Sequence, residues 1–367
     1  MYGFYCLSPQ GTNSIIPLFT NHKKAQGMIS VRLWKLVLLA YIQAVAGCAS
    51  TTELPPELGH IDTSALPPPD LALNIAGLGP CTDNPDRTLH LNSTQPVVVL
   101  AHGCLSSAGR FRSLAQVFAF HGQQSVCFSY DDRDSLTVSA SQLVTALDEL
   151  EDPMQNRQVT VIGHSQGGLI ARNAFTNDRI QPLGADLDLR LVTISSPYAG
   201  VAAADHCALP FARAISLGLV IPLCKMISGD KWYEITSSSD FIREPGTLIA
   251  EVDDFIKIVT DERDSCRRHN SEGRCIEDDY VFSTEEQYFP AVDNSKQVIP
   301  IEVKAGHSEI AGNATTTPDK LISILQKHNI MRATPVAKAA ALDALLSEIY
   351  LIAEKGPDTL LILSDPQ

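Results

Sequence analysis

Continuous apolar runs alternate along this chain with stretches whose apolar positions recur every three to four residues. "PVVVLAHG" (96–103) is apolar almost without interruption, the pattern of a strand buried on both faces. "FRSLAQVFAFHG" (111–122) follows with helical spacing, "QSVCFSYDD" (124–132) reads as the next strand, and "LTVSASQLVTALDELED" (136–152) reads as a helix. "QVTVIGHS" (158–165) and "LRLVTISSP" (189–197) are two more strands, separated by the helix "GGLIARNAF" (167–175). Later come "FIKIVTDERD" (255–264) and "QVIPIEVKAGH" (297–307). Strands alternating with helices predict an α/β fold with a mostly parallel central sheet and helices on both faces.

One segment breaks the rhythm. From Val201 to about Ala250 no strand pattern is visible, and "FARAISLGLVIPLCKMI" (211–227) is a long apolar stretch containing Pro222. Arg213, Lys225 and the proline argue against a membrane span. The segment is expected to form a cap whose apolar underside covers a substrate pocket. A helix packed on the core is the alternative.

The N-terminal stretch has another character. From Met28 the chain reads "MISVRLWKLVLLAYIQAVAGCAS", with Arg32 and Lys35 ahead of the apolar run Leu36 to Ala46. That is the layout of a secretory signal, with an apolar run too short to span a bilayer. The ending "VAGC" resembles the lipobox of bacterial lipoproteins. The resemblance implies that Cys48 carries the lipid and becomes the mature N-terminus. Ala49 after it implies sorting to the outer membrane. An ordinary secretory signal is the alternative. The expected organisation is a signal region over 1–47 with its start at Met28, a lipidated N-terminus and tether over 48–80, and a main domain over 81–367. The tether is expected from its Pro, Ser and Thr content.

Charge and cysteines narrow the class. The chain of 367 residues has a formal net charge of −14, and the first 47 residues carry four Lys/Arg and no acid, so the mature chain stands at −18. No basic patch appears, and nucleic acid is an unsuitable partner for so acidic a chain. Nine cysteines suit an exported protein with disulfides, Cys266 with Cys275 and Cys207 with Cys224 being the expected local pairs. No cluster has the spacing of a zinc site, and no metal or organic cofactor is expected.

The chemistry centres on "VTVIGHSQGGLIAR" (159–172), where strand becomes helix around a serine. Ser165 is flanked by Gly163 and Gly167, the G-x-S-x-G nucleophile elbow. Its sharp turn holds the hydroxyl above the sheet and needs small neighbours. An oxyanion needs two backbone N–H donors. Gln166 follows the nucleophile, and the turn after "VVVLA" supplies the N–H of Cys104 as the second.

With these pieces in place, residues 96 to 315 resemble an α/β-hydrolase of the bacterial lipase or esterase type. The resemblance is carried by "LAHGC", "GHSQGG", "TISSPYAG" and "AGHSEI", in that order. It implies a Ser-His-acid triad with Ser165 as nucleophile and, after the last strand, His307 as base. His206, His269 and His328 lie elsewhere, and His164 is expected to be a structural neighbour. The family's turn after the seventh strand places the acid on Asp264, with Asp261 and then Asp205 as alternatives. Glu262 is expected to be a solvated loop carboxylate. The implied activity is hydrolysis of carboxylic esters through an acyl-enzyme, on an ester or lipid substrate, by a protein tethered to the bacterial envelope. A phospholipase, thioesterase or acyltransferase on the same triad is the near alternative, and a non-catalytic binding protein the distant one. Substrate chain length and oligomeric state are left open.

Overall fold

The structure is a computed structural model that describes residues 60–176, 187–202, 204, 229–270 and 272–350. The signal region, Cys48, half of the expected cap, Asp205, His206 and the Cys207 and Cys224 pair lie outside the described residues.

Eleven strands are described: β1 (Leu71–Leu73), β2 (Leu78–Gly79), β3 (Leu89–Leu91), β4 (Val97–Ala101), β5 (Gln124–Phe128), β6 (Gln158–His164), β7 (Asp188–Ile194), β8 (Val252–Asp261), β9 (Cys266–His269), β10 (Cys275–Asp278) and β11 (Val298–Lys304). Seven of them form one sheet in the order β11-β8-β7-β6-β4-β5-β2. All neighbours in it run parallel except β2, which pairs antiparallel with β5. This is the mostly parallel sheet that the sequence pattern predicts. Pro300, which cannot donate to a ladder, sits in the edge strand β11.

The apolar runs are continuous because both faces of the sheet are covered. Val97, Val99, Val159, Val161, Leu189 and Leu191 face one way and pack with Leu143 and Leu147 of helix α1 (Leu136–Glu151). Their neighbours Val98, Leu100, Ile162, Val192, Ile194 and Ile256 face the other way, against Leu114 and Phe118 of the preceding helix Arg112–Phe120. Successive side chains of a strand point to opposite faces, so each strand contributes to both cores. Ser135 caps α1 by accepting from the N–H of Val138 at 3.3 Å.

Register decides where the site lies. Ala101 is level with Gly163, His164 with Ile194, Ile194 with Ile258, and Asp261 with Lys304. The carboxyl ends of β4, β6, β7, β8 and β11 therefore open along one edge, where ligands bind in open α/β sheets.

Two departures from expectation concern the periphery. Residues 71–79, expected within the tether, form β1, which pairs with β3, and β2, which joins the main sheet. Strands of two or three residues among prolines leave too few periods to read. Cys81 and Cys127 form a disulfide that the local pairings did not include; the antiparallel pair Gly79 and Cys127 carries the two cysteines together. The expected bridge Cys266–Cys275 is present across the hairpin β9–β10.

Candidate active site

Ser165 follows the last residue of β6 and precedes helix α2 (Gln166–Ala174). Its backbone has φ 56° and ψ −124°, a strained conformation for a residue with a side chain. The turn is tight enough to explain both glycines. A Cβ on Gly163 would lie 2.4 Å from the carbonyl oxygen of Gly167, and one on Gly167 would lie 2.3 Å from that of Ala101. Neither clash is with a side chain that could swing away, so the elbow requires glycine at both positions.

The loop after β4 passes beside this turn. His102 is held by Tyr130, whose hydroxyl donates to the His102 carbonyl at 2.6 Å and whose ring stacks on the imidazole at 4.3 Å. Burial pushes the Tyr130 phenol well above its ordinary pKa, so it stays a donor. Leu105 adopts φ 53° and its N–H donates to the Asp132 carboxylate. Between them, the N–H of Cys104 has no partner among the described residues, and neither has that of Gln166 at the start of α2. Free N–H groups at these two positions are what an oxyanion needs.

At the other end of the edge, His307 stands three residues beyond β11. Its Nδ1 lies 3.0 Å from Oε1 of Glu262, the residue directly after β8. Glu262 is 1% exposed and fully partnered. Oε1 also accepts from Ser195 Oγ at 2.5 Å and Thr260 Oγ1 at 2.9 Å, while Oε2 accepts from the N–H groups of Val281 and Phe282 at 2.6 and 2.9 Å. Burial alone would raise its pKa. The bonds from His307, Ser195 and the Phe282 N–H outweigh burial and hold it below the ordinary glutamate value. Ser195, Glu262 and His307 thus form one hydrogen-bonded Ser-His-acid cluster, with Ser195 Oγ 2.8 Å from Nδ1.

The expected acid, Asp264, is corrected by this geometry. Its side chain is 99% exposed, and among the described residues it pairs only with the Lys304 ammonium at 4.0 Å. Asp264 has φ 60°, a left-handed conformation that aspartate tolerates better than most residues. The turn explains an aspartate there without chemistry. Asp261 is engaged too, paired with Arg263 at 2.7 Å, which lowers its pKa. Glu262 is not the solvated carboxylate expected from its place among charged residues, because it follows β8 at the buried carboxyl edge, as Ser165 follows β6.

Further residues missed in the sequence hold His307 in place. The His307 N–H donates to the carbonyl of Asp279 at 3.0 Å. The Asp279 carboxylate accepts from the N–H groups of Ser308 and Glu309 at 2.9 Å and pairs with Arg267 at 3.0 Å. Arg267 belongs to the disulfide hairpin β9–β10, which ties that hairpin to the histidine loop. His164 Nε2 donates to the His307 carbonyl at 2.9 Å. Burial and the neighbouring His307 keep His164 well below its ordinary pKa, and its ring therefore serves as a neutral strut, in the structural place expected of it. Phe282 packs edge-on against His307 at 5.0 Å.

A family model described as palmitoyl protein thioesterase matches residues 96–265, which include β4 through β8 and the elbow. No curated protein matches the chain. Among solved structures, the mature lipase BlEst2 of Bacillus licheniformis is similar at 14% identity and TM-score 0.44, over 69% of this chain and 97% of that one. Esterase B of Lactobacillus Rhamnosis is similar at 12% identity and TM-score 0.43, over 86% and 96%. An esterase of Pyrococcus furiosus gives 13% and 0.40, over 76% and 91%. At these levels the assignment of the site rests on the chain's own geometry. Sheet order, serine elbow and acid-held histidine together give this chain the α/β-hydrolase fold with a Ser-His-acid arrangement at its carboxyl edge.

Proposed function

We propose that Ser165 is the nucleophile, His307 the base and Glu262 the acid of a carboxylic-ester hydrolase. The observation that carries this reading is the His307 to Glu262 pair, completely buried on its acid side and set on the same sheet edge as the strained serine elbow. Ser195 is the serine that contacts His307 directly, at 2.8 Å. It is 0% exposed, lies on the Nδ1 side and already donates to Glu262, so no substrate carbonyl can approach it. It belongs to the acid, not to the nucleophile.

The reaction follows from these roles. Ser165 Oγ attacks the acyl carbonyl while His307 takes its proton at the nitrogen remote from Glu262. Glu262 fixes the tautomer with the proton on Nδ1 and stabilises the imidazolium that forms. The N–H groups of Cys104 and Gln166 meet the oxyanion, a contribution of roughly 3–4 kcal/mol per donor in comparable sites. His307 returns the proton to the leaving group, and water then releases the acid from the acyl-enzyme by the same steps.

The match to the thioesterase model favours a second reading of the leaving group, as a thiol instead of an alcohol. A thiol leaves more readily, and the same constellation serves both. The N-terminal "VAGC" pattern supports anchoring through lipid on Cys48 at the bacterial envelope, where acyl substrates are at hand. Cys48→Ser would then move the protein from the membrane fraction to the soluble one; retention of lipid would refute the anchor.

A fluorophosphonate probe tests the assignment. Labelling of the folded protein at Ser165, lost in Ser165→Ala and retained in Ser195→Ala, supports it. Labelling retained in Ser165→Ala contradicts it. Matched acyl esters and acyl thioesters, compared by kcat/KM, then decide the leaving group.

A further inference from the structure

A buried lysine joins the two oxyanion donors from outside the catalytic strands. Lys231 lies in a single 3-10 turn (Asp230–Trp232), within the insertion between β7 and β8, and is 2% exposed. An ammonium has three protons to place. Lys231 Nζ places them on the Gln166 side-chain oxygen at 2.5 Å, on the backbone carbonyl of Asp132, and toward the Cys104 sulfur at 3.2 Å. The two residues whose N–H groups would hold the oxyanion are thus tied by one cation. The Gln166 amide is fixed at both ends, since its Nε2 also donates to the Asp132 carbonyl at 3.1 Å. Asp132 in turn binds the N–H of Leu105, directly after Cys104.

The charge balance separates this lysine from a structural one. Lys257, 1% exposed, is paired directly with the Asp293 carboxylate and lies between the rings of Tyr198 and Tyr288. Its charge is cancelled where it sits. Lys231 has three neutral or weakly polar acceptors, and among the described residues its carboxylate partner, Asp132, lies 3.9 Å away and is engaged with Leu105. A desolvated cation with incomplete compensation acts strongly over short range.

We infer that Lys231 is a positioning residue of the oxyanion hole, locking Gln166 and Cys104 in register and placing a buried positive charge behind the developing oxyanion. The inference rests on the proposed role of Ser165. It also means that a residue of the insertion, not of the core, completes the hole.

The test is kinetic, on the full chain, with an ester substrate and an alkyl boronic acid as transition-state mimic. In Lys231→Met, kcat is expected to fall by about 10- to 100-fold, somewhat less than direct loss of an oxyanion donor. KM is expected to stay within about twofold, because ground-state binding does not use the hole, while boronate affinity falls in step with kcat. Lys231→Arg, which keeps the charge, recovers part of the loss. Lys231→Gln keeps a donor without charge, so it serves if the methionine variant does not fold, and its kcat and boronate affinity are also expected to fall. Unchanged kcat and boronate affinity in a folded neutral variant overturn the inference, as does a loss confined to KM. A wild-type protein without Ser165-dependent turnover would instead refute the proposed function itself.

Discussion

The two halves of the site are specified in different ways. On the elbow side, backbone meets backbone: a Cβ on Gly163 or Gly167 would enter carbonyl groups at 2.4 and 2.3 Å. On the acid side, the side chains of Ser195, Thr260 and His307 and the backbone N–H groups of Val281 and Phe282, brought together from four segments of the chain, converge on one carboxylate through five donors. Backbone crowding leaves a mark on composition, because only glycine fits. Convergence of hydrogen bonds leaves almost none, because many polar residues could serve and the burial that selects one of them is a tertiary fact.

That difference governs how the halves respond to substitution. The largest effect is expected at the elbow: Ser165→Ala should lower kcat/KM by at least about 10⁴-fold, with probe labelling lost. Ser195→Ala removes one of several donors to Glu262 and should lower kcat about tenfold, the worth of one hydrogen bond to a charged group. Equal losses in the two variants, measured by steady-state kinetics, would erase the distinction between nucleophile and acid support.

The disulfides sharpen the comparison at the level of stability. Cys81–Cys127 closes 46 residues and Cys266–Cys275 closes 9. Loop-closure entropy gives about 4 kcal/mol for the first and about 2.6 kcal/mol for the second. Chemical denaturation of the paired serine variants should rank them in that order. Activity should rank them in the opposite order, because only the hairpin bridge adjoins Arg267 and the Asp279 support of His307. A hairpin variant with full activity would break the link between that hairpin and the base.

The smallest effect concerns pH. Glu262 is held below its ordinary value of 4.5 by His307, Ser195 and the Phe282 N–H, against the opposing effect of burial. A depressed carboxylate adds stability above its unfolded pKa, and that stability disappears as pH falls through the folded pKa. The stability gap between wild type and Glu262→Gln should therefore be complete by pH 6 to 7, and close progressively below about pH 4.5. A gap that widens toward acid, in denaturation curves across that range, would mean that Glu262 is protonated in the fold.

Most of the frame was legible in the sequence. The continuous apolar runs became the parallel strands, and Ser165, Cys104, Gln166 and His307 all stand at the carboxyl edge. The acid was not legible. "DERD" (261–264) offers four charged residues in a row, and the choice among them depends on which side chain turns inward after β8. Asp261 pairs with Arg263, Asp264 occupies a left-handed turn, and Glu262 alone is enclosed. One sign was available: the first residue beyond an apolar strand is placed at the sheet edge, as Ser165 is beyond β6. Lys231 carried no sign at all, since nothing local to residues 229–232 ties them to residues 104 and 166.

The central claim is that Glu262, and not Asp264, orients His307 for Ser165. The direct measurement is the ratio of kcat in Glu262→Gln to kcat in Asp264→Asn, in variants shown to be folded by circular dichroism. The amide at 262 presents the wrong hydrogen-bonding group to Nδ1 and should lower kcat by about 10³- to 10⁴-fold. The amide at 264 faces solvent and should leave kcat within about twofold of wild type, as surface changes do. The reverse pattern, with Asp264→Asn disabling the enzyme and Glu262→Gln active, would contradict the account.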